Sequence, residues 1–145
     1  QQSIERRARD ATAFIHPQKD EAQLILELAP RDPEALQEAE SARDIPLQLN
    51  VYAVPGIVLD NLARDLVAFC GMQAVILPAP SAGSKMIASG DPVPEAIASV
   101  AHRIAPEMTR LMRSDPTWMG GTRGVIQLVM LHQLEQLHRR RSSSA

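Results

Sequence analysis

The hydrophobic and polar positions of this chain follow two different periods. Three short apolar segments, residues 23–29, 47–54 and 73–78, have the length of β-strands, and the segments between them have helical spacing. An alternation of strands and helices is typical of a parallel sheet covered by helices. The sequence therefore predicts an α/β fold, with a small, mostly parallel, three-stranded sheet flanked by helices and a C-terminal helical pair. A mainly α fold is the alternative, because short apolar runs also occur in buried helices.

The helical segments differ in strength. Residues 57–70 have the clearest amphipathic pattern, and Gly71 suits the left-handed position that ends a helix. Pro106 interrupts a later apolar stripe, so we expect a kink or two helices near residues 102–105. A last helix is predicted over residues 122–140. Weaker patterns predict helices over residues 3–15 and after Asp32.

Residues 78–92 show neither the helical nor the strand spacing of apolar residues, since they contain three prolines, two glycines and three serines. The sequence predicts an irregular loop there, and a stretch of this length in a compact domain tends to be functional or mobile. With 145 residues the chain has the size of one domain. We therefore expect a single domain over residues 1–145, with a frayed tail at residues 142–145.

Composition indicates the cellular compartment more clearly than it indicates the function. The one cysteine, Cys70, cannot form an internal disulfide, and no apolar run approaches the ~20 residues that span a bilayer. A soluble protein of a reducing, cytoplasmic compartment is the expectation, with no membrane partner. The first residue is Gln1, so upstream residues, including a removed leader, are an open alternative.

The strand ends suggest a ligand site. In a parallel sheet, ligands bind beyond the carboxyl ends of the strands, where three loops with small, hydroxyl-bearing or basic residues meet. Backbone donors and one lysine suit a phosphate, although the glycine spacing and the order of serine and lysine depart from a P-loop. A flexible connector is the alternative. The predicted ligand residues are Arg31, Gly56, Ser81, Gly83, Ser84 and Lys85.

A basic C-terminal region suggests nucleic acid instead. Residues 101–145 contain seven arginines against three acids, and arginine suits phosphate contacts. Aromatic residues are only 3% of the chain, which leaves little for base stacking. Arginines that meet a helix dipole and keep an apolar helix soluble are the alternative. The candidate RNA or DNA contacts are Arg110, Arg113, Arg123, Arg139, Arg140 and Arg141.

The last predicted helix is apolar around much of its circumference, which is typical of a helix that is buried or paired with another chain. This pattern favours self-association or binding of a partner protein. The candidate interface residues are Leu128, Leu131, Leu134, Leu137 and Trp118.

Catalytic and metal-binding signals are weak in this sequence. The four histidines lack the spacing of a helical metal site, so surface or helix-end histidines are expected and neither metal nor cofactor is predicted. Cys70 follows Phe69 at a helix end that does not activate thiols, so we expect it to be inert. The leading hypothesis is a non-catalytic assembly or regulatory domain that acts through a helical surface. A nucleic-acid accessory protein and a small phosphate-binding enzyme are the alternatives.

Overall fold

The computed structural model describes residues 16–34, 45–80 and 83–145. The predicted helix over residues 3–15 and the body of the one after Asp32 lie outside these ranges, as does Ser81. The strands are β1 (Leu24–Pro30), β2 (Leu47–Ala53), β3 (Gln73–Pro78) and β4 (Ser84–Ser89). The helices of the described ranges are α1 (His16–Glu21), α2 (Asp60–Cys70), α3 (Pro94–Ile104), α4 (Pro106–Leu111) and α5 (Gly121–Ser143).

The four strands form one sheet in the order β1-β2-β4-β3, and every neighbouring pair is antiparallel. The prediction of a mostly parallel, three-stranded sheet is therefore wrong, and the arrangement is α+β. The three predicted strand positions nevertheless match β1, β2 and β3 closely.

The error in topology has a definite physical cause. Strands β2 and β3 both run antiparallel to β4, so they are parallel to each other and are joined through α2. Strand β4 lies between them and takes the hydrogen bonds that a parallel pair would exchange. The order strand, helix, strand is the same in both arrangements, so it does not distinguish a parallel pair from a split one.

Strand β4 also corrects the predicted loop over residues 78–92. Met86 and Ala88 point into the core, while Lys85 and Ile87 lie on the other face. Such alternation is a strand pattern, but only one residue of the six is β-branched and glycines flank the strand. Its regular structure comes from pairing on both sides, which local composition does not encode.

The helices cover one face of this sheet. Alternate strand residues, such as Leu49, Val51 and Met86, pack against Leu62 of α2 and Leu128 of α5 in one core. The opposite face carries Glu27, Asn50 and Tyr52, and the Glu27 carboxylate accepts hydrogen bonds from both of the other side chains. The described residues thus form two layers, one a sheet and the other helical.

The helix ends follow their local sequence. Helix α2 ends at Gly71, whose φ of 61° is the left-handed conformation expected there. Pro106 starts a second helix after α3, which confirms the predicted break. Helix α5 continues to Ser143, so residues 142 and 143 end this helix rather than forming a frayed tail.

Candidate functional site

A cleft of about 290 Å³ opens between α2, α3 and α5. It combines three arginines with two acids and one histidine, and we call it the arginine cleft. Its lining residues are Asn61, Arg64, Asp65, Arg103, Ile104, His132, Glu135, Gln136 and Arg139.

Asp65 forms the wall of the cleft on the side of α2. The residue is 5% exposed, because it lies on the helix face that buries Leu62 and Leu66. Arg103 Nε donates to Asp65 Oδ2 at 3.4 Å, and Arg64 Nε lies 3.6 Å from Oδ1. A buried carboxylate needs such partners, because water no longer solvates its charge.

Glu135 forms the opposite wall, on α5, and is 1% exposed. One carboxylate oxygen accepts the backbone N–H of Met108 at 2.9 Å, and the other accepts Arg139 Nε at 2.9 Å. Met108 lies in the first turn of α4, where backbone donors have no partner within the helix. Glu135 therefore caps α4 from another helix and orients Arg139 with the same carboxylate.

The three arginines share one mode of attachment. Each contacts its carboxylate through Nε, and each side chain is at least 52% exposed. Arg103 also stacks on Phe69, with its guanidinium carbon 4.1 Å from the ring centroid. Among the described residues the terminal nitrogens of these three arginines have no hydrogen-bond partner. Hydrogen bonds to the buried acids thus fix the side chains of Arg103 and Arg139, Arg64 lies at ion-pair distance from Asp65, and the terminal donors of all three remain open.

His132 lies at the inner end of the cleft and is 7% exposed, contrary to the expected surface position. Its Nε2 donates to the Val58 carbonyl oxygen at 2.8 Å, since a carbonyl can only accept. Its Nδ1 is buried without a hydrogen-bond partner among the described residues. Gln136 reinforces the same contact, because its amide bonds both the N–H and the carbonyl of Val58.

Cys70 lies near this site but is a poor nucleophile. Burial raises the pKa of its thiol, and the negative charge of Asp65 raises it further. Both effects favour the neutral thiol over the reactive thiolate.

Of the predicted phosphate residues, Arg31 lies apart from the group at the start of β4. Ser84 and Lys85 start β4 beside the end of β2, directly after Gly83, whereas Arg31 follows β1 at the opposite end of the sheet. Arg31 donates to Gln73 Oε1 at 2.7 Å, and Lys85 Nζ lies 5.0 Å from the Tyr52 ring centroid. An added Cβ at Gly83 would collide with the Ala53 carbonyl oxygen, so that glycine permits close packing of two strands.

A second groove, of about 560 Å³, lies at the end of the sheet where β2 ends and β4 begins, between the loops after β2 and β3. Its charged lining residues are Asp20 and Glu27. Its electrostatic character is therefore opposite to what a phosphate needs.

The predicted nucleic-acid arginines are also dispersed. Arg123 begins α5 and Arg139, Arg140 and Arg141 end it, which separates them by about 24 Å at 1.5 Å per residue. Arg110 pairs with Glu107, and Arg140 donates to the Gly56 carbonyl; Arg113 and Arg141 are exposed. Of the six, only Arg139 belongs to the arginine cleft.

The predicted interface is divided between core and surface. Leu128 and Leu131 are buried inside the chain, Leu137 and Trp118 are half-buried, and Leu134 is 51% exposed. Leu128 and Leu131 are thus occupied by the chain's own core, which leaves Leu134 as the most accessible of the five.

Asp65, Glu135, Arg64, Arg103 and His132 are the cleft residues that pattern analysis missed. A signal exists, because Asp65 follows Leu62 by three positions and Glu135 follows Leu131 by four, so both acids interrupt apolar stripes. A charge inside an apolar stripe marks a buried ion pair, but it does not identify the partner.

The described ranges contain neither a metal-binding group nor a membrane-spanning helix. No group of three or more histidine, cysteine or acidic side chains there is arranged to hold a metal ion. None of the helices in those ranges has the length and hydropathy needed to span a lipid bilayer.

Comparisons with protein-family models, with curated proteins and with solved structures gave no match for this chain. No function is therefore transferred from another protein, and the arginine cleft has to be interpreted from its own geometry.

Proposed function

We propose that this protein is a non-catalytic binding domain of the regulatory or assembly type, which recognises an anionic group of a partner protein at the arginine cleft. The observation that carries the proposal is the shared attachment of Arg64, Arg103 and Arg139. Arg103 and Arg139 are each hydrogen-bonded through Nε to a buried carboxylate, Arg64 Nε lies at ion-pair distance from one, and the terminal donors of all three are open.

Such an arrangement is pre-organised for binding. A free arginine side chain loses rotamer entropy when it binds, at a cost of about 0.5–1.5 kcal/mol. Contacts with Asp65, Glu135 and Phe69 already restrict the side chains of Arg103 and Arg139 in the folded protein, so less entropy is lost on binding. An incoming anion then meets guanidinium groups that line one cleft from three helices.

Local charge supports the same proposal. One of the three helices around the cleft, α5, lies wholly within residues 101–145, and α3 ends there; this segment contains seven arginines and three acids. A surplus of positive charge around a concave site attracts negatively charged partners and accelerates their association.

A titration followed by NMR tests this function. Blocked hexaglutamate, added to ¹⁵N-labelled protein at low salt, should shift the Nε–H signals of Arg64, Arg103 and Arg139. Arg103→Gln and Arg139→Gln should each weaken binding about two- to fivefold, the range of exposed ion pairs. Arg123→Gln is the matched control, because it lies on α5 but outside the cleft.

Equal weakening by Arg123→Gln would indicate non-specific attraction and contradict the proposal, as would the absence of any shift at the cleft. A single-stranded RNA that binds more tightly than the peptide, through arginines outside the cleft, would favour nucleic acid instead.

A further inference from the structure

The charges of the arginine cleft specify its ligand more closely. We infer that the group it takes is a carboxylate on an acidic segment of a protein, rather than a phosphate. This inference rests on the function proposed above, because it identifies the anion that enters the same cleft.

The charge balance is the first argument. Arg64, Arg103 and Arg139 contribute three positive charges, and Asp65 and Glu135 contribute two negative ones, which leaves a net charge of +1. One carboxylate neutralises that charge. A phosphate monoester carries about −1.5 to −2 at pH 7, so it leaves excess negative charge beside the two acids.

Burial makes this excess costly. Asp65 is 5% exposed and Glu135 is 1% exposed, so water screens neither carboxylate well from a neighbouring anion. Both acids are also already engaged with Nε atoms and do not rotate away without breaking those contacts. The repulsion therefore acts on the ligand rather than being relieved by a side-chain movement.

Size and donor geometry agree with a carboxylate. A volume of about 290 Å³ is at the small end for ligand sites, so the cleft suits one side chain rather than a nucleotide. The two terminal nitrogens of each guanidinium remain open, and this fork fits two oxygens of a carboxylate or of a phosphate, so the charge balance and the volume decide between them.

The test uses three blocked heptapeptides of glycine, alanine and serine that differ only in the central residue: glutamate, phosphoserine or glutamine. NMR titrations at pH 8, where histidines are ordinarily neutral, give their affinities. We expect the glutamate peptide to bind up to about fivefold more tightly than the phosphoserine peptide, and the glutamine peptide to leave the cleft signals unchanged.

The variant Asp65→Asn tests whether the charge of the cleft determines which peptide binds more tightly. The substitution keeps the shape of the side chain and raises the net charge of the cleft to +2, so the preference should reverse toward phosphoserine. Asp60→Asn, on the exposed first turn of α2, should leave the preference unchanged. The wild-type comparison alone decides the inference if Asp65→Asn does not fold.

The outcomes separate the two proposals. Tighter binding of the phosphoserine peptide to the wild-type cleft overturns the carboxylate inference and leaves the binding function in place. No binding of either charged peptide at the cleft overturns both.

Discussion

Two almost fully buried carboxylates, Asp65 and Glu135, hold the arginine cleft together. Each does two tasks, since it stabilises a helical contact in the core and positions at least one arginine at the surface. Removing either acid should therefore affect folding and binding together. Removing Arg103 or Arg139 should weaken binding and also cost some stability, because it takes a partner from a buried carboxylate.

Glu135 provides the first test at this scale. Glu135→Leu leaves the Met108 N–H without its acceptor and Arg139 without its anchor, so the free energy of unfolding should fall by about 1–3 kcal/mol. Glu107→Gln, which removes a partly exposed pair with Arg110, should change it by less than about 0.5 kcal/mol. Urea unfolding measures both, and equal losses would contradict the role given to Glu135.

Cys70 provides a second test, through the pH dependence of its alkylation. Burial raises the pKa of this thiol, and Asp65 adds to the effect, so iodoacetamide should react only at pH values above those of an ordinary cysteine. Asp65→Asn removes the nearby negative charge, which favours the thiolate, and should move the rate profile to lower pH. The same shift from Asp60→Asn would show that general surface charge, not Asp65, is responsible.

At the scale of single elements, helix α5 holds two loops with two glutamines. Gln136 bonds the N–H and carbonyl of Val58, and Gln127 bonds the Met119 N–H and the Thr117 carbonyl. The loop between β2 and α2 is thus fixed to the same helix face that lines the arginine cleft.

These glutamines serve as controls for each other. Gln136→Leu should accelerate amide exchange at Val58 and leave Met119 unchanged, and Gln127→Leu should do the reverse, because each amide loses only its own acceptor. Hydrogen exchange followed by NMR reads both positions. Faster exchange at both amides in either variant would mean that the two loops open together.

The apolar surface of α5 gives the test of self-association, which stays a prediction. Leu131 is buried, so Leu131→Glu should unfold the protein, at a cost well above 2 kcal/mol. Leu134 is 51% exposed, so Leu134→Glu should leave the melting temperature nearly unchanged. If copies associate through this helix, Leu134→Glu should also lower the mass measured by analytical ultracentrifugation; an unchanged oligomer excludes that surface.

The elements that sequence predicts well are those whose pattern is decided locally. Helix α2 has an apolar stripe and a terminating glycine, and β2 alternates cleanly, so both are recovered within a few residues. Strand β4 and the arginine cleft depend on partners distant in sequence. Asp65 and Arg103 are 38 positions apart, and periodicity contains no information on which acid meets which arginine.

At the scale of the whole molecule, the helical layer and the sheet carry different polar sites. Three helices enclose the arginine cleft on one side, and the sheet presents the Glu27, Asn50 and Tyr52 network on the other. The acidic groove at the sheet end and the basic cleft between the helices are thus built from different elements, and the loop after β2 touches both.

The position of β4 between β2 and β3 has a consequence for the order of folding. Strands β3 and β4 are joined by a short connection, whereas residues 31–46 separate β1 from β2. Short loops close at lower entropic cost, so the β3–β4 hairpin should form early and β1 should add last. Until β4 is in place, β2 has no partner on its inner side.

Val51 allows this order to be measured, because Met86 of β4 and Leu26 of β1 are its partners on either side. Met86→Ala should mainly slow refolding, since its contacts belong to the transition state, whereas Leu26→Ala should mainly accelerate unfolding. Stopped-flow chevron plots separate the two rates. If β1 is the later strand, the wild-type chain also passes through a three-stranded state in which one side of β2 is briefly open to pairing with another molecule.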